Sequence, residues 1–153
     1  MGGNGSYSKW YGGVPVASRT HIDTNMRIEG HKVLLQKGSV KQNKNILNAN
    51  SESPVYLIAR VEKDGSVAVQ SINVFKGHEI SLEINLKFDK GGNYVPFNGN
   101  ASTSSHAHRW KMTEQGTYER KSHDNSNVYD IPPEYKGLIY KIVEFNKKKR
   151  KWN

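Results

Sequence analysis

The chain has 153 residues, no cysteine and a formal charge of +9. That length suits one domain over residues 1–153 with a core of its own, and the missing cysteines exclude disulfides, thiolate metal sites and a cysteine nucleophile. With 35% hydrophobic and 24% charged residues, and no apolar run long enough for a membrane helix, the composition is that of a globular protein, expected to be cytoplasmic and to have no membrane partner.

Residues 1–30 are rich in Gly, Ser, Asn and Thr, and "YGGVP" is a turn signal, so an irregular basic arm is expected there. A short strand follows at "HKVLLQK" (31–37), then a polar loop over 38–54. The middle of the chain is β. "PVYLIARV" (54–61) and "VAVQSINVF" (67–75) flank an Asp-Gly turn. The apolar phase of the second slips between Val69 and Ile72, which predicts a bulge near Gln70–Ser71. In "HEISLEINLKF" (78–88), His78, Ile80, Leu82, Ile84, Leu86 and Phe88 share one face. Glu79, Ser81, Glu83, Asn85 and Lys87 share the other, which is expected to face water. These three strands should form an antiparallel meander. "YVPF" (94–97) reads as a short edge strand, because Pro96 cannot donate to a ladder. Near the C-terminus, Pro132 and Pro133 suit a helix start, and Tyr135, Leu138, Ile139, Ile142 and Phe145 recur at helical spacing. Residues 147–153 form a basic tail. The whole predicts an α+β fold: an antiparallel sheet of five to six strands packed on one C-terminal helix.

The positive charge sits at the two flanks. Residues 1–50 carry net +5, residues 51–104 net −1 and residues 105–153 net +5. Without the "KKKRK" run at 147–151 the chain still carries +4, so an anionic partner is expected beyond the tail itself.

The stretch "SSHAHRWK" (104–111) concentrates the chemistry. As a strand it puts His106, His108, Trp110 and Met112 on one face and Ala107, Arg109 and Lys111 on the other. A turn centred at 114–116 would return Tyr118, Arg120 and Lys121 alongside and bring His123 and Asp124 beside the first two histidines. Four readings of this hairpin stand side by side. It is a polar hairpin with locally satisfied histidines. Or it is an anion site, in which Ser105, His106, His108, Arg109, Arg120 and Lys121 hold a phosphate while Trp110 and Tyr118 stack on a base. Or it is a metal-free nuclease, with His106, His108 and His123 moving protons and Arg109 holding charge. Or it is a metal site. H-x-H on a strand resembles the cupin pattern, but Glu114 lies six residues past His108, one or two beyond the place that pattern requires, and no matching Gly follows. No metal or cofactor is expected. The residues leave binding and catalysis both open.

The string from "SHAHRW" through "RKSHDNSNVYDIPPEYKGLIYKIVEFNKKKRKW", with the opening "GGNGSYSKWYGGVP", resembles small uncharacterised proteins of phages and bacterial mobile elements. The resemblance brings no catalytic residues with it. It implies either a small toxin nuclease or a protein that binds and blocks a host component, such as a defence protein or its nucleotide signal. The first expectation is thus binding of nucleic acid, a nucleotide-like anion or a host protein by the hairpin. The alternative is a metal-independent ribonuclease.

Overall fold

The computed structural model describes residues 10–11, 14–15, 21–36, 54–76, 79–112, 118–120 and 128–152, with side chains at 21–36, 54–76, 81–109 and 128–152. Two short strands, β1 (Trp10–Tyr11) and β2 (Val14–Pro15), pair with each other antiparallel. The main sheet takes β3 (His21–Ile28), β4 (His31–Gln36), β5 (Val55–Val61), β6 (Val67–Lys76), β7 (Glu79–Asn85) and β8 (His106–Met112) in sequence order. The three-residue β9 (Tyr118–Arg120) continues it beside β8. A 3-10 turn at Pro133–Tyr135 opens directly into helix α1 (Lys136–Lys147).

The α+β class and the C-terminal helix packed on the sheet are as the sequence indicates. One pairing in the sheet, β4 with β5, is parallel. A parallel pair needs a long crossover rather than a tight turn, and residues 37–53 supply the length. The sheet also begins earlier than the composition suggests, at His21. β3 escapes a period-two reading because it is irregular: Asn25 has φ 62° and the register shifts between Asp23 and Arg27. Its buried residues, His21, Thr24 and Ile28, therefore do not alternate. "YVPF" is not a strand. Tyr94 makes a single bridge to Phe88, and Pro96 prevents the ladder from continuing.

The meander β5–β6–β7 is antiparallel throughout. Ile58 pairs with Ser71 and Ala59 with Val69, so Gln70 is the extra residue of a bulge at the place where the apolar phase slips. Directly opposed residues of antiparallel strands point to the same side of a sheet. Leu57, Ile72, Ile84 and Ala107 therefore form one row on the helix side. Ile139, Ile142 and Phe145 of α1 are buried there, with Tyr135 and Leu138 partly buried around them. The helix is also tied to sheet backbone. Val69 N–H donates to Asn146 Oδ1 at 2.8 Å, and Asn146 Nδ2 donates to the Val69 carbonyl at 3.0 Å. A side-chain amide thus replaces a strand partner just before the bulge.

The basic tail is only half as expected. The side chains of Lys147–Lys151 are exposed. The backbone beneath them is fixed, because Val67 N–H donates to Arg150 O, Trp152 N–H donates to Gly65 O, and Lys151 bridges Ser66. Trp152 packs partly buried against the core.

Candidate functional site on the polar face of the sheet

The face of the sheet away from α1 is polar, and it is buried. Tyr56, Asn73, Glu83 and His108 form one continuous row across β5 to β8. Ile58, Ser71, Asn85 and His106 form the next. Tyr56, Asn73 and Glu83 have no exposed surface, and Ser71, His106 and His108 retain 5% or less. The expectation that Glu83 faces water is corrected here. Alternation places Glu83 opposite the apolar stripe, but strands of this sheet are buried on both sides, as the runs of buried residues in β4 and β5 show.

His106 and His108 stand side by side on β8, with ring centroids 4.8 Å apart and planes at 83°. His106 Nδ1 lies 2.8 Å from the Ser104 carbonyl. A carbonyl only accepts, so Nδ1 carries a proton, and the ring offers Nε2 to its surroundings. His108 is directly opposed to Glu83, a placement that sets Cβ atoms about 4.5–5.5 Å apart. In the neighbouring row the Ser71 hydroxyl, 3% exposed, has no hydrogen-bond partner among the described residues. Further along the same face Arg60 donates twice to Gln36 Oε1, at 3.2 Å each. Burial works against the Arg60 charge and lowers its pKa, while nearby Glu62 acts in the opposite sense.

The other sequence-derived residues fall in three groups. Ser105 is fully buried and structural: its Oγ accepts from Lys87 N–H at 2.8 Å and is hydrogen-bonded to Tyr94, a phenol pushed above its ordinary pKa mainly by burial. Ser104 likewise closes the preceding loop, donating to Asn100 O and accepting from Asn98 N–H. Arg109 is exposed on the opposite side from the histidines, with its guanidinium 5.0 Å from the centre of the Tyr129 ring. Trp110, Tyr118 and Arg120 have described backbones only. Their register, Trp110 opposite Arg120 and Met112 opposite Tyr118, is the one a turn at 114–116 requires. Lys121, His123 and Asp124 lie outside the described residues. The slot beside Ala107, where that register continued would bring residue 123, is held by Tyr129, through N–H···O bonds of 2.8 and 2.9 Å.

Sequence reasoning missed Glu83, Asn73, Ser71 and Asn85. The signal was present as the polar half of an alternating strand, but period two does not distinguish a polar face in water from a polar face in a second buried layer. Among the described residues no three His, Asp or Glu side chains are grouped to hold a metal ion. Nor is any helix among the described residues long and apolar enough to cross a membrane. Comparison of the chain with protein-family models, with curated proteins and with solved structures finds no match.

Proposed function

We propose that this chain is a small basic binding protein of phage or mobile-element type, and that it takes an anionic partner, nucleic acid or a nucleotide-like ligand, at the polar face around His106 and His108. Blocking of a host component is the biological outcome such binding would serve. One observation carries the reading. Two adjacent imidazoles share a buried face with a hydroxyl, Ser71 Oγ, that has no hydrogen-bond partner among the described residues. Buried polar groups are almost always satisfied, and an unsatisfied one on the same face as titratable groups, here two strands away, marks a candidate place for a ligand. Phosphate oxygens accept from imidazolium, hydroxyl and amide donors, which are the groups of His106, His108, Ser71 and Asn85.

The test is affinity for an oligoribonucleotide, wild type beside His106→Ala/His108→Ala. The variant lacks two imidazole donors to phosphate, so its affinity should fall by at least about tenfold. Equal affinities in a folded variant would sink the reading.

A second reading, the metal-independent ribonuclease, is favoured by the position of Glu83. A carboxylate opposite an imidazole orients it and stabilises its charged form, which is the arrangement of a general base. In this reading His108 takes the 2′-hydroxyl proton and His106 Nε2 protonates the leaving oxygen. RNA cleavage in EDTA, lost in His108→Ala and slowed in Glu83→Gln, would establish it. Intact RNA after prolonged incubation would leave binding as the function.

A further inference from the structure

A groove of about 600 Å³ lies away from the histidines, between the end of α1, the bulged part of β6 and the turn at 89–93. Lys87, Lys90, Lys147 and Lys149 line it, against the acids Glu62 and Asp89. The Asp89 carboxylate is occupied within its own turn. It accepts from the backbones of Asn93 and Gly91 at 2.9 Å each, and those bonds, the one from Asn93 foremost, hold its pKa below the usual carboxylate range. Asp64, beyond the rim, is used in the same way by Ser66. Two of the lysines are placed by contacts. Lys147 Nζ donates to Asn93 Oδ1 at 2.7 Å, and the tail just after Lys149 is tied down where Val67 N–H donates to Arg150 O and Trp152 N–H to Gly65 O.

Lys149 itself has φ 52°, in the left-handed region that terminates helices and that glycine fills best. A lysine stands there. A non-glycine residue is strained in this conformation, which Asn25 and Glu29 also adopt, and Lys149 is the one of the three that lines the groove.

We propose that this groove binds the sugar–phosphate backbone of a nucleic acid, so that the partner is a strand spanning several phosphates and not a lone nucleotide. The inference deepens the binding reading above, on which it rests. Lys87 links the two places. It lies two residues past Asn85, the partner of His106, just beyond the end of β7 and so at most about 7 Å from it. A strand that passed the histidines toward that end of the sheet would reach the groove. Phosphate contacts by lysine position a strand without reading its sequence.

The experiment uses the full chain and labelled single-stranded RNA of about 4 and about 12 nucleotides, the span over which single-strand grooves are tracked. Wild type should bind the longer strand more tightly, with a marked salt dependence. The triple variant Lys87→Gln/Lys90→Gln/Lys149→Gly should lose that length preference, with at least about tenfold lower affinity for the longer strand and a salt slope shallower by about 2, from about 0.7 for each phosphate contact removed. Lys149→Gly relieves the backbone, so loss of fold cannot explain the result, and a thermal melt of the triple variant checks this. An unchanged slope in a folded triple variant overturns the proposal. So does equal affinity for poly-glutamate of matching charge, which would make the partner an acidic protein. His106→Ala/His108→Ala separates the two sites. If the groove fails while the histidine reading holds, that variant alone changes binding. If the reverse, it leaves length and salt dependence as they are.

Discussion

The two faces of the sheet are buried alike and built differently. Under α1, Leu57, Ile72, Ile84 and Ala107 meet Ile139, Ile142 and Phe145, and a side chain there contributes through area and fit. On the other face Tyr56, Asn73, Glu83 and His108 sit in a row with similarly little exposure. Their contribution depends on whether each polar atom finds a partner. The first face tolerates changes of shape in proportion to volume. The second responds to the loss of a single charge or donor, and a face with that sensitivity is costly to maintain for packing alone.

The largest effect should fall on the polar face. Glu83→Ala removes a carboxylate with no exposed surface that faces His108. If Glu83 and His108 form a buried charged pair, removing one member costs about 3–5 kcal/mol. Chemical denaturation of the variant measures it. A loss below about 1 kcal/mol would show that Glu83 has no charged partner and that the two faces differ less than their composition suggests.

On the apolar face, Ile142→Ala should cost about 2–5 kcal/mol, because Ile142 is fully buried at the centre of the helix contact. Thermal melts check this, and Ile142→Val should recover most of the loss. A response as abrupt as that of Glu83→Ala, without recovery in Ile142→Val, would contradict the graded behaviour assigned to this face.

Asn146 tests the seam between helix and sheet. Asn146→Ala would leave the Val69 N–H and C=O without their side-chain partner, at a cost of about 1–3 kcal/mol. Hydrogen exchange at the Val69 amide should accelerate more than exchange at Ile72. Uniform acceleration would mean that the helix as a whole has loosened.

The apolar face was legible in the sequence because each of its elements keeps a regular period. Ile139, Ile142 and Phe145 follow the helical repeat, Ile84 and Leu86 the strand repeat, and even the bulge at Gln70 shows as a slip in phase. The hairpin register at Trp110–Arg120 was legible from turn position alone. The polar face was legible only at its histidines. Glu83 carries the residue type of a solvent-facing position, and what buries it is three-dimensional. The pinning of the tail escaped for a related reason, since backbone bonds from Arg150 and Trp152 leave no mark on side-chain pattern.

The smallest expected effect is also the most discriminating. Ser71 lies on the polar face beside Asn85, and its hydroxyl is buried without a hydrogen bond among the described residues. A buried hydroxyl already without a partner loses nothing when it is removed, so Ser71→Ala should change stability by less than about 0.5 kcal/mol or raise it slightly. The consequence for binding is different. If the hydroxyl is held for a phosphate oxygen, its removal costs one hydrogen bond to a charged group, about 1.5–3 kcal/mol of binding energy. Glu83 and Ser71 would then represent two uses of one buried face, the first holding the fold together and the second holding a ligand. Isothermal titration with an oligoribonucleotide, run beside a denaturant melt of the same variant, measures both quantities. Unchanged affinity together with lost stability would assign Ser71 to the fold, and the polar face would then be a second core and not a site.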